Sequence, residues 1–134
     1  MNMKLLLITL AAGISMWLLA GLVHEVIFPK FFTDQTEATH EGTVIIFLAY
    51  IILGLLMSYL FSLTYSGGQP VIEGLKLGVL IGILWVFPHE LAMAGAHGKS
   101  ISYVFINGAW HVIEQGFGGI IIGFIYTKIW ADAS

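Results

Sequence analysis

Apolar and polar residues follow one another in long blocks along this chain, not in alternation. Four apolar runs stand out, over residues 5–28, 43–65, 71–93 and 101–130. A helix needs ~20 mainly apolar residues to cross ~30 Å of hydrocarbon, and all four runs meet that length. The segments between them, PKFFTDQTEATHEG, SGGQP and AGAHGKS, carry the Gly, Pro, Ser, Thr and charge expected of loops. None of the runs shows the period-two alternation of a transmembrane β-barrel, the other structure that satisfies its backbone inside lipid. Short connections make successive helices antiparallel. The expected fold is all-α, an integral membrane antiparallel four-helix bundle, with residues 1–134 forming one domain.

Composition supports the bilayer as solvent. The chain is 58% hydrophobic and 10% charged, against roughly 25% charged residues in an ordinary soluble domain. So few charges cannot cover a water-facing surface. The expected partner of most side chains is therefore lipid. The first run follows Lys4 and superficially resembles a signal peptide. It is too long for the apolar region of one, and no A-x-A site closes it. It reads as a retained span.

Charge settles two further points. The five basic residues are all lysines and are scattered, which excludes the basic patch that nucleic acid requires. Lys4, Lys76 and Lys128 fall on one side of the bundle, and Lys30 and Lys99 on the other. The positive-inside rule then places both termini in the cytoplasm. The absence of cysteine removes disulfides, thiolate metal sites and iron–sulfur clusters.

Glycines mark helix contacts. Gly74, Gly78 and Gly82 recur every four residues on the third span, and Gly119 and Gly123 do so on the fourth, beside Gly116 and Gly118. Small residues at this spacing let another backbone approach closely. The stripe points to a neighbouring helix, of this chain, of a second copy in a homo-oligomer, or of a larger membrane complex.

The candidate chemistry lies in six ionisable residues inside the spans, where each costs ~2.5–3.5 kcal/mol at the bilayer centre on insertion scales. His24 and Glu25 lie near the end of the first span. His89 and Glu90 follow Pro88 near the end of the third, and His111 and Glu114 lie well inside the fourth. With antiparallel helices all three pairs reach one layer of the bundle. Asn107, His111, Glu114, Gln115 and Gly118 also share one face of the fourth span, which must turn away from lipid. His40, Glu41 and His97 read as solvated loop or loop-adjacent residues, and Glu73 as a first-turn acid. Tyr50, Ser58 and Tyr59 bring only slight polarity to the second span, which reads as a wall of the bundle.

Several functions fit this pattern. Imidazoles and carboxylates from three helices suit a divalent metal ion, Zn, Fe, Mn or Ni. The same groups suit a proton or ion path. They also suit hydrogen-bonded ties between helices in an accessory or structural subunit. Two histidines on facing helices could hold haem b, although the adjacent carboxylates fit a cation better. No G-x-S-x-G, Walker loop or H-E-x-x-H occurs, so no enzyme class is indicated.

The stretches EGLKLGVLIGILWVFPHE and AWHVIEQGFGGIIIGFIY, somewhat under half of the chain, resemble small bacterial four-span membrane proteins with no assigned activity. The resemblance implies a multi-pass protein of a bacterial inner membrane. It carries over no site residues.

Overall fold

A computed structural model describes residues 3–27 and 39–131. Four helices follow one another, with no strand among the described residues: α1 Met3–Gly21, α2 His40–Thr64, α3 Pro70–His97 and α4 Ile101–Ala131. All four are long and apolar enough to cross a membrane. The chain is a multi-pass, all-helical membrane protein.

The ends of the helices have local causes. A π-helical turn, Leu22–Ile27, continues α1. Thr39 caps α2, its Oγ1 accepting from the Gly42 amide at 3.1 Å, so His40 and Glu41 belong to the first turn. The α3 helix opens with Pro70, whose missing N–H costs nothing at that position. It runs to His97, four residues beyond the expected span. Gly98 then turns left-handed at φ 68°, and the Lys99 amide reaches back to the Ala94 carbonyl at 3.2 Å. Glu73 does more than complement a helix dipole. Its carboxylate accepts from the Ser66 amide at 2.9 Å, the Ser66 hydroxyl at 2.9 Å and the Gly68 amide at 2.8 Å. One side chain thereby binds the whole α2–α3 turn.

The glycine rows are taken up inside the chain. A Cβ on Gly74 would fall on the Gly119 carbonyl, and one on Gly78 on the Gln115 carbonyl. A Cβ on Gly82 would lie 2.8 Å from the Val112 Cα. The α3 and α4 backbones are therefore in direct contact, the most extensive helix pairing among the described residues. A second close crossing joins α1 to α2, where a Cβ on Gly54 would lie 2.7 Å from the Thr9 carbonyl oxygen. The two hairpins meet chiefly through α1 and α4, and α2 touches α3 and α4 only sparingly. Ile8, Ala12 and Met16 of α1, Met57 and Phe61 of α2 and Ile122 of α4 form the core between them. At one end the Lys4 ammonium donates to the Ile129 carbonyl at 3.2 Å, so both ends of the described chain lie on the same side.

The helices thus neighbour one another in the order α2, α1, α4, α3. Between α2 and α3 a crevice of about 580 Å³ opens. Ile52, Leu56 and Leu60, exposed on α2, line it, as does exposed Trp85 of α3.

Candidate functional site

The crevice has one polar end. On α4, His111 and Glu114 are three residues apart, a spacing that places side chains one above the other. The His111 Nδ1 and the Glu114 Oε2 lie 2.9 Å apart. The second carboxylate oxygen accepts from the Tyr50 hydroxyl of α2 at 2.6 Å. Glu114 is 1% exposed and His111 retains 24%, and all three residues line the crevice. An unbroken hydrogen-bonded chain therefore runs His111–Glu114–Tyr50. Both oxygens of the buried carboxylate are satisfied, as a carboxylate in lipid requires. The His111 Nε2 has no hydrogen-bond partner among the described residues.

Depth sets the character of this site. His111 stands ten residues into α4, ~15 Å along the axis at 1.5 Å per residue, and Tyr50 stands equally far into α2. Both are near the middle of a ~30 Å hydrocarbon layer. The polar stripe of α4 does turn inward. Asn107 is 8% exposed, Glu114 1% and Gln115 0%. Neither amide atom of Gln115 has a hydrogen-bond partner among the described residues.

The other four sequence candidates share the layer and not the site. The His24 ring stands edge-on to Trp110, centroids 5.8 Å apart. Its Nδ1 donates to the Ala20 carbonyl of its own helix at 2.8 Å. Glu25 is exposed. His89 is exposed as well, with the Trp85 ring 6.4 Å from its own. The same indole lies 6.1 Å from the His111 ring. The Glu90 Oε2 is buried without a hydrogen-bond partner among the described residues, as is the Trp110 Nε1. Among the described residues no three His, Asp or Glu side chains come together closely enough to hold a metal ion. The reason is angular. Adjacent residues on a helix point ~100° apart, so the His24–Glu25 and His89–Glu90 dipeptides each diverge, and only the i, i+3 pair converges.

Tyr50 is the residue that sequence reasoning missed. It lies on the helix assigned to a wall, and a single hydroxyl in an apolar run carries little signal. Its place follows from the α2–α4 register. The same register brings the Phe61 and Tyr126 rings to 5.2 Å.

Comparison with known proteins adds no assignment: no family model matches the chain, and neither the curated proteins nor the solved structures match it.

Proposed function

We propose that this membrane protein holds an exchangeable proton at mid-membrane on its His111–Glu114 pair and presents it to the α2–α3 crevice. The observation that carries this is the hydrogen-bonded chain from Tyr50 through Glu114 to His111, with the imidazole lining an opening. A net charge at this depth is costly. The pair is therefore cheapest when neutral overall, either as imidazolium with carboxylate or as imidazole with carboxylic acid. These two forms differ only in the position of one proton along a 2.9 Å contact. Nitrogen-15 NMR of labelled histidine tests this. Titration of the His111 nitrogens should change strongly in Glu114→Gln, whose amide keeps a polar contact and cannot share that proton. An unchanged titration would defeat the proposal.

The Tyr50 bond favours a second reading, in which the chain is a tie between the two hairpins of an accessory subunit. It joins helices that otherwise meet sparingly. Under that reading Tyr50→Phe weakens the fold, and Glu114→Gln leaves proton exchange at His111 as it was.

A divalent metal centre finds less support. His111 and Glu114 supply two donors, and the remaining ligands would have to come from another molecule. Metal analysis of the purified protein checks this, and an optical spectrum does so for haem b. We assign the cytoplasm to the side of Lys4, Lys76 and Lys128, with a bacterial inner membrane as the host.

A further inference from the structure

We infer that the α2–α3 crevice receives a membrane-soluble lipid of the quinone class, with a ring carbonyl accepting a hydrogen bond from the His111 Nε2–H. This inference rests on the neutral His111–Glu114 pair proposed above.

Proton counting gives the polarity of the site. The Tyr50 hydroxyl donates to the Glu114 Oε1. One proton lies between the Glu114 Oε2 and the His111 Nδ1. For the pair to be neutral, a second proton must sit on Nε2. The free nitrogen is then a donor, and a donor left unpaired in hydrocarbon is costly. Its complement is an acceptor such as a carbonyl oxygen. An alcohol would complement it less well, because its own hydrogen would still need an acceptor.

Depth and shape narrow the source of that carbonyl. Phospholipid ester groups lie at the edge of the hydrocarbon, ~15 Å from the midplane. They do not reach a nitrogen ~15 Å inside α4. The crevice extends along α2 from Ala49 to Leu60, about 16 Å of helix. That is half of a membrane crossing, too short for the seat of a transmembrane helix. Its volume of about 580 Å³ lies within the ~300–1,000 Å³ of small-molecule sites. The polar groups and the Trp85 ring occupy one end. The other end, through Leu53, Leu56 and Leu60, is apolar. A ring head against Trp85 and His111, with an aliphatic tail along α2, matches this polarity end for end.

The test uses the whole protein in lipid nanodiscs, with a benzoquinone bearing a ten-carbon tail as probe and decylbenzene as the carbonyl-free control. Histidine nitrogen-15 NMR reads the His111 Nε2, assigned from the spectrum of His111→Gln. A saturable Nε2 shift with the quinone, absent with decylbenzene, is expected. His111→Ala should weaken binding at least about tenfold, with partial rescue in His111→Gln, whose amide can donate. Leu56→Trp should block binding by filling the crevice from a lipid-facing position, with helicity unchanged by circular dichroism. An equal response to decylbenzene overturns carbonyl recognition. A crevice variant that alters self-association and leaves quinone binding intact overturns the crevice as the quinone's seat. Absence of any quinone shift, with the Glu114-dependent titration of His111 still present, defeats this inference alone. Loss of that titration defeats the proton reading beneath it.

Discussion

Tyr50 on α2 and Glu114 on α4 share a 2.6 Å hydrogen bond near the middle of both helices, although these helices otherwise meet sparingly. The bond closes the polar end of the crevice from one side, and His111 closes it from the other. A side chain that gives α2 only slight polarity in the sequence thus completes the most buried acid of the described chain.

Tyr50→Phe should destabilise the protein by about 1–2 kcal/mol, since it removes a hydrogen bond to a buried acid. Chemical unfolding in detergent measures this. Combined with Glu114→Gln, the two effects should fall short of their sum, because each removes the same contact. Full additivity would show that the two side chains act independently.

Gly78→Ala should cost about 1–3 kcal/mol, because its Cβ would fall on the Gln115 carbonyl and force α3 from α4. Gly95→Ala supplies the comparison. Its Cβ would meet nothing within 4 Å, so replacing a helical glycine should stabilise by up to about 0.5–1 kcal/mol. Thermal unfolding of both variants should show melting temperatures moving in opposite directions.

Ser66→Cys and Lys99→Cys should react with a membrane-impermeant thiol reagent from opposite faces. The protein has no cysteine of its own to interfere. Ser66 lies in the α2–α3 turn and Lys99 in the α3–α4 turn, at opposite ends of α3. Labelling of both from one face would contradict the antiparallel arrangement.

Glu73→Ala should loosen the α2–α3 turn without disturbing the membrane-spanning core. Amide exchange at Ser66 and Gly68, whose N–H groups the carboxylate accepts, should accelerate. Exchange along α4 should not change.

The four spans and their antiparallel course were legible in the chain because a bilayer selects on length and polarity, both of which are local. Depth was legible for the same reason. A fixed rise per residue places His24, His89 and His111 in one layer, and the ring contacts through Trp110 and Trp85 agree with it. The inward turn of Asn107, Glu114 and Gln115 also followed from their spacing.

Rotation about each helix axis, and which helices are neighbours, were decided only by tertiary packing. The α3–α4 glycine contact sets one rotation and the Gly13–Gly54 crossing of α1 and α2 sets another. Those rotations carry His24 toward Trp110, leave Glu25 and His89 exposed, and aim Tyr50 at Glu114. Each residue turns a side chain by ~100° while advancing it by only ~1.5 Å. Residues matched in depth can therefore face wholly different surroundings, and packing between backbones selects which of them meet.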